Sequence, residues 1–512
     1  MPTKLLFYAS SVFNRHIFLI PLIASLIVLS INLNKPFIGH HDFMGAFEGM
    51  KARNYLKYGF WQLKFGQITR NFNGSVKYSS LDTHYLPLLP VLISLSFAIF
   101  GVVEWAERLI PALFSILGIL AFLAVVERIW GRRTALISSI FYIFNPMFIY
   151  FGSLPAPDIP ALAMYLVSFY FYLKWSLENN NWTFFLFCLS LFVGGLFSWT
   201  IVYIVPLLIL HSAITGKLRL KLVISCVVVF MTLSLQLIHG YILTGSFLTS
   251  DTIETLKSRL TQENFNFGGM QFTLYNYAKL EISRLQAFFT RIALMLSIIC
   301  VISSLNLRFD RKKALLLFFL GVGIAHPLIF SRYVFVHDFL NIYLLPFISL
   351  SAALGLMILA RFFSRIGLNQ RLIFFVVLTI ILIFAVERMS FTKALLATDF
   401  EKPGRNMGII LNSLQKSQSE VAIASPVFVS EYGIFISFYS NYPAAVLSEK
   451  SLADDPRIQK FNYIITVDKY IENRVLYKQL VQKYSNEKID DVTIFCIHEE
   501  HCLPFSTQGL RI

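Results

Sequence analysis

Residues 86–100 read LPLLPVLISLSFAIF. This apolar segment of 15 residues carries Pro87 and Pro90 near its start. An untilted membrane span needs about 20 residues, and shorter apolar stretches tend to be re-entrant or interfacial. Its reading decides the topology, because every later loop changes side if it crosses. If it does not cross, the cytosolic loops are 128–133, 177–181, 214–221, 306–313 and 361–371. They hold Arg128, Arg132, Arg133, Lys217, Arg219, Lys221, Arg308, Arg311, Lys312, Lys313, Arg361, Arg365 and Arg371, whereas the short outer loops at 152–159, 199 and 332–338 hold only Arg332. Basic residues collect in cytosolic loops. The charges therefore keep 86–100 on the outer side.

The surrounding chain is built for a bilayer. Of 512 residues 56% are hydrophobic and 14% charged, against about 45–50% and 25% in soluble domains. Mean hydropathy is +0.64. These values exclude a disordered chain and a soluble enzyme of this length. The net charge of +15 follows from the cytosolic loops, so no nucleic-acid partner is needed to explain it. Besides 86–100, apolar runs occupy 17–33, 105–127, 134–151, 160–176, 182–198, 200–213, 222–240, 286–305, 314–331, 339–360 and 372–389. Lys4, Arg15 and His16 precede the first run, and no small-x-small cleavage site follows it. It reads as an uncleaved helix with a cytosolic N-terminus. The expectation is an α-helical polytopic membrane protein of about eleven spans with re-entrant and juxtamembrane helices. The pair 182–198 and 200–213 is broken near Gly194, Gly195 and Ser198, as helices beside a functional cavity are.

Three parts lie outside the bilayer on this reading: loop 34–104, loop 241–285 and the tail 390–512. The transmembrane domain is thus 1–389. In loop 241–285, Asp251 and Glu254 have capping-box spacing ahead of a short helix. In the tail, helical stretches at 403–416 and 470–484 alternate with strand-like runs at 420–424, 444–447, 462–467 and 491–497, which predicts a small extracytoplasmic α/β domain. Cys188, Cys226 and Cys300 lie in apolar runs as packing residues. No C-x-x-C is present to suggest a structural zinc site. Cys496 and Cys502 have the option of pairing on the exported side.

The polar groups at the outer membrane edge are the candidate chemistry. Asp42 precedes a run in which Phe43, Ala46, Phe47 and Met50 fall on one helical face, with Glu48 and Lys51 opposite. That pattern predicts an amphipathic interfacial helix, with Asp42 as its N-cap on the bland reading. Thr83-His84-Tyr85 stands at the mouth of the re-entrant segment, and Pro157-Asp158 between the third and fourth spans. Arg332, His337 and Asp338 lie between the ninth and tenth. Asp158 and Asp338 also have helix-capping alternatives. Carboxylates activate hydroxyls, and Arg or His accepts a departing phosphate.

Residues 39–176 resemble the GT-C glycosyltransferases, specifically the prokaryotic relatives of protein O-mannosyltransferase and of the lipid A aminoarabinose transferase. The resemblance rests on Asp42 just after the first span, ARNYLKYG at 52–59, THYLPLLP at 83–90, Phe100-Gly101 with EWAERL at 104–109, WGRR at 130–133, Asn145-Pro146 and Pro157-Asp158. A second patch is RYVFVHDFLNIYLLP at 332–346. The resemblance implies a membrane enzyme that takes a sugar from a polyprenyl-phosphate donor and gives it to a protein, lipid or glycan. It makes Asp42 the base and Asp158 a second active-site acid. Two departures stand out: Phe43 follows Asp42 where relatives have a second acid, and Thr83-His84-Tyr85 replaces an acidic-Lys-Pro motif. A divalent cation, if bound, would then take Asp42, His84 and Asp158 as ligands, a nitrogen-richer set. Arg53, His84, Arg332 and His337 are the phosphate-binding candidates, with Arg53 an interfacial anchor on the alternative reading. The protein belongs on this view in the plasma (inner) membrane, with its C-terminal domain extracytoplasmic. The rival reading is a non-catalytic transporter or flippase of lipid-linked substrates. The charged groups sit at the helix ends, not along the spans as in the ion paths of pumps.

The topology has a direct test. Cysteines introduced as Ser80→Cys and Val103→Cys should both react with an impermeant thiol reagent added outside intact cells. Reaction of the second only from the cytosolic side would mean that 86–100 crosses.

Overall fold

The computed structural model describes residues 18–69, 81–216, 220–261, 266–267, 269–305, 310–416, 421–424, 426–440, 445–447, 461–467, 474–490 and 492–498. Every apolar run forms helix. Helices 104–130, 222–244, 311–329, 338–365 and 370–396 are each long and apolar enough to cross a membrane. Breaks divide several of the rest. The run at 134–151 becomes helices 132–143 and 146–151, because Asn145 caps a new start, its Oδ1 accepting from the Met147 amide at 3.0 Å, and Pro146 takes the first helical position. The run expected at 286–305 begins instead at Arg291. Helix 274–288 precedes it and meets it at a bend of 106°. Thr290 sits in that bend at φ 63°. Segment 88–100 is a helix of 13 residues, or roughly 20 Å at 1.5 Å per residue, short of a ~30 Å hydrocarbon core.

The described chain forms two compact units, one of residues 1–34, 83–89 and 108–396, the other of 35–82, 90–107 and 397–512. In the first, the core is aromatic: Phe169 stacks on Phe318 with centroids 4.1 Å apart, and Tyr165, Phe319 and His211 close around them. Helices 291–305 and 345–365 pack closely at Gly355, where a Cβ would lie 1.9 Å from the Leu296 carbonyl oxygen.

The second unit holds a five-stranded sheet in the order 445–447, 421–424, 463–467, 492–496, 485–489. The first three strands are parallel and the last two antiparallel to their neighbours. Ile464, Leu480, Phe495 and Ile497 form a buried cluster on it. All four expected strands and both expected helices are present within a few residues. Strand 485–489 (SNEKI) and helix 426–439 were not expected; the strand has no apolar alternation, being an exposed polar edge. Cys496 is disulfide-bonded, and Cys502 lies outside the described residues.

The same unit corrects the reading of helix 43–58 as interfacial. Both of its faces are buried, with Glu48 and Lys51 each 1% exposed. Lys51 Nζ bonds Glu48 at 2.6 Å and also Asp82, and lies 4.0 Å from the Phe47 ring centroid. Burial pulls the ammonium pKa down, but Asp82 and Glu48 more than reverse this and raise it, so Lys51 is charged at neutral pH. At Gly45 a Cβ would meet the Phe37 ring at 2.2 Å, so only glycine admits that neighbour.

Removing the cation from a buried charge cluster leaves uncompensated carboxylates, at a cost of about 3–5 kcal/mol. Lys51→Gln should therefore lower the unfolding midpoint of the purified protein by many degrees. Adding Glu48→Gln and Asp82→Asn to it should recover most of that loss; an unchanged midpoint for the single variant would remove Lys51 from this role.

Candidate functional site

The site in the first unit begins with a broken helix. Helix 181–197 ends at Ser198, which is extended (φ −153°, ψ 140°), and a 3₁₀ turn over 199–203 leads into helix 204–214. The break turns Ser198, Trp199 and Thr200 toward the start of helix 158–178. Asp158 Oδ1 there accepts from Tyr343 Oη at 3.0 Å and from Ser198 Oγ at 3.5 Å. Tyr343 Oη also meets Thr200 Oγ1 at 2.8 Å, and Thr200 Oγ1 donates to Ser198 Oγ at 3.1 Å. Asp158 is the first residue of helix 158–178, after Pro157 at the N-cap position. It lies two residues ahead of the apolar run and is 2% exposed. Burial pushes its carboxyl pKa up, opposed by the Tyr343 hydrogen bond and by the charge of Arg259.

Arg259 is the functional candidate that sequence reasoning missed. It lies on helix 250–261 and is 4% exposed. Its guanidinium carbon lies 4.1 Å from the Tyr333 ring centroid, 5.0 Å from Trp199 and 5.6 Å from Tyr85. Nη2 donates to Tyr85 Oη at 3.3 Å, while Nε has no hydrogen-bond partner among the described residues. A guanidinium stays charged at any physiological pH. A buried cation with a donor left over, walled by three rings and near a carboxylate, is equipped to receive an anion. No local signal singles out this arginine among the basic residues of loop 241–285.

A second set of bonds fixes Tyr85 against that arginine. The Thr83 amide and Oγ1 donate to Asp251 Oδ2 at 2.7 and 3.0 Å, and Gln236 Nε2 donates to the His84 carbonyl at 2.6 Å. His84 Nδ1 lies 3.4 Å from Asp251 Oδ2. Asp251 is thus an anchor for 83–84. The helix is capped by Thr249, whose Oγ1 accepts from the Thr252 amide at 3.1 Å, which corrects the capping-box expectation.

Arg332 rests on the Phe272 ring at 5.0 Å. His337 packs against Tyr333 at 4.3 Å and Phe339 at 5.6 Å. Their segment is held by Arg284, which donates to the Val334 and Phe335 carbonyls at 2.8 and 2.9 Å and pairs with Glu281; Glu281 accepts in turn from Asn341 at 2.7 Å. Asp338 is buried at the start of the 3₁₀ turn 338–344.

Asp42 and Arg53 belong to the second unit. Asp42 occupies the N-cap position of helix 43–58 without capping it. Its Oδ2 instead accepts from the Gly39 and Ile38 amides at 2.6 and 3.1 Å, with Lys35 Nζ at 3.8 Å. The turn is tied to the tail: Tyr439 Oη accepts from the Phe37 amide and donates to Glu104, and the His40 amide donates to Thr398. Arg53 reaches the end of helix 426–439, its guanidinium donating to the carbonyls of Ser437, Phe438 and Ser440 at 2.6, 2.6 and 3.1 Å. It serves there as a C-terminal helix cap.

A family model described as dolichyl-phosphate-mannose-protein mannosyltransferase matches residues 84–242, a stretch that contains His84, Asp158 and the Ser198 break. Among solved structures, ArnT from Cupriavidus metallidurans bound to undecaprenyl phosphate superposes with a TM-score of 0.62 at 14% identity, covering 95% of this chain and 99% of that one. This protein has the GT-C fold. The Archaeoglobus fulgidus oligosaccharyltransferase in complex with Zn and sulfate superposes with a TM-score of 0.51 at 12% identity, over 88% of this chain and 68% of that one. At these identities the likeness is one of fold. Comparison with curated proteins finds no match in sequence.

Of the residues expected to hold a cation, His84 has a second possible ligand beside it, its Nδ1 lying 3.4 Å from Asp251 Oδ2, while Asp42 belongs to the other unit. No chemical step is assigned to a metal.

Tyr343 helps keep Asp158 ionised, so Tyr343→Phe should raise the carboxyl pKa further. If activity needs the carboxylate, the acid limb of the rate profile should move to higher pH with the plateau largely kept. An unmoved limb would separate Asp158 ionisation from turnover.

Proposed function

We propose that this chain is a membrane glycosyltransferase that moves a sugar from a polyprenyl-phosphate donor to an acceptor hydroxyl on the extracytoplasmic face of the plasma membrane. The observation that carries the reading is Arg259, a buried cation with an unpartnered Nε, walled by Tyr85, Trp199 and Tyr333 and attracted electrostatically to Asp158. The phosphate role proposed here falls to Arg259, while Arg53 donates to three carbonyls at the end of helix 426–439. The undecaprenyl phosphate named with ArnT supports a polyprenyl-phosphate donor here, and the apolar helices supply the environment its tail requires. Sidedness follows from the basic loops, as does the placement of the 390–512 domain on the outer face with the N-terminus in the cytosol.

In the proposed reaction the acceptor oxygen attacks the anomeric carbon opposite the phosphate. The C–O bond to phosphate breaks, polyprenyl phosphate leaves with the electron pair, and the configuration inverts. Arg259 takes up the leaving phosphate's charge in a water-poor pocket, where such stabilisation is strongest. Asp42 accepts the proton, the role the family resemblance gives it. Asp158, held by Tyr343 and Ser198, orients the acceptor or a cation.

Asp42→Asn keeps an acceptor for the Gly39 and Ile38 amides and removes the basicity. A general base contributes about 10²–10⁴-fold, so transfer from a polyprenyl-phosphate sugar by the purified variant should fall by that factor with donor binding intact. Arg259→Lys should lose donor affinity, because an ammonium does not reproduce a stacked guanidinium. Donor binding by the wild type without turnover would favour the flippase reading, and near-normal turnover by Asp42→Asn would end the assignment of the base.

A further inference from the structure

The first unit carries a second pocket, away from the residues assigned above. Helix 370–387 is followed after Arg388 by helix 389–396, and the pocket beside this junction is lined by Phe144, Ile149, Phe384 and Leu396. The pocket has a volume of about 220 Å³. An apolar cavity of roughly 150 Å³ already admits benzene, so there is room here for several methylenes of a chain. Two cations lie on its walls, Arg388 and Lys393.

The surroundings hold Arg388 in place and leave the pocket open to lipid. Arg388 Nε donates to the Gln286 carbonyl at 3.1 Å and lies 4.0 Å from the Glu387 carboxylate. The neighbouring Glu387 carboxylate accepts from the Arg291 and Ile292 amides at 2.9 and 3.1 Å, so it caps helix 291–305. Lys393 is exposed and has no ion-pair partner among the described residues. Helix 370–396 is the most lipid-exposed of the candidate spans, with only 11% of its apolar window buried. Ile31 and Met389, which also line the pocket, are 57% and 48% exposed.

We infer that this pocket binds an anionic phospholipid of the surrounding bilayer, with an acyl chain between Phe144, Ile149 and Phe384 and the phosphate at Arg388 and Lys393. An apolar slot that ends in two cations, one of them held by the Gln286 carbonyl, matches an acyl chain that ends in a phosphodiester. A zwitterionic lipid fills the slot equally well but gains less from the cations, since its own ammonium offsets its phosphate. The site stands apart from the proposed catalytic pocket, so its occupancy does not depend on Arg259.

The test is native mass spectrometry of the full-length protein taken from vesicles of equal phosphatidylglycerol and phosphatidylcholine. Phosphatidylglycerol should be retained in preference. Each cation near a charged lipid contributes on the order of 1 kcal/mol, so Arg388→Gln with Lys393→Gln should lower that retention by roughly tenfold or more. Ala385→Phe, which fills the slot without touching the charges, should lower it as well, and Arg259→Gln should leave it unchanged. Equal retention of the two lipids, or no loss in the double variant, would overturn the inference. So would displacement of phosphatidylglycerol by added polyprenyl phosphate, which would make the pocket part of the donor site.

Discussion

Helix 181–197 stops at Ser198, and the candidate site depends on that stop. Within an apolar bundle a broken helix has to satisfy its backbone polar groups internally. Here the Ser198 amide still donates to the Gly194 carbonyl at 3.1 Å, and Ser198 Oγ accepts from the Thr200 amide at 3.4 Å. What the break yields is placement. Ser198 and Thr200 reach the Asp158–Tyr343 pair, and Trp199 becomes one wall around Arg259. A continuous helix would spread these three side chains around its circumference.

Both units bury charge, by different means. In the second, Lys51 is paired with Glu48 and Asp82, and Arg53 donates to three carbonyls. Those charges are consumed by the fold. In the first, Arg284 is likewise consumed, by two carbonyls and Glu281. Arg259 differs: its neighbours are mostly ring faces, which attract a cation without using up its donors. A buried cation is costly unless paired, and an incoming phosphate would complete the pairing. Binding and the relief of that cost then come from the same contact.

Asp42 shows why position alone is a weak guide to role. Its place before a helix suggested a cap, yet its carboxylate turns back on the 38–39 amides. Those amide bonds hold the carboxylate in one orientation within a turn that Tyr439 and Thr398 fix from the tail. A base must be held within hydrogen-bond reach of the hydroxyl it deprotonates, and this arrangement supplies the rigidity. The role proposed for it rests on the family resemblance.

The sequence by itself determined the class, the helices and the tail. Apolar runs, basic loops and alternating strands are local patterns, readable because burial in a bilayer or a sheet imposes a period or a length on neighbouring residues. The broken helix pair was legible for the same reason. Tertiary structure decided the rest. Glu48 and Lys51 read as the polar face of an interfacial helix, since nothing within one turn announces that Asp82 will cover them. Strand 485–489 was missed because an exposed edge has no apolar alternation. Arg259 was one basic residue among several in its loop. Its partners Tyr85, Trp199 and Tyr333 come from three distant segments, and only their convergence distinguishes it. Local pattern sets where each element forms; which charge is consumed and which is left for a ligand depends on contacts between residues far apart in the chain.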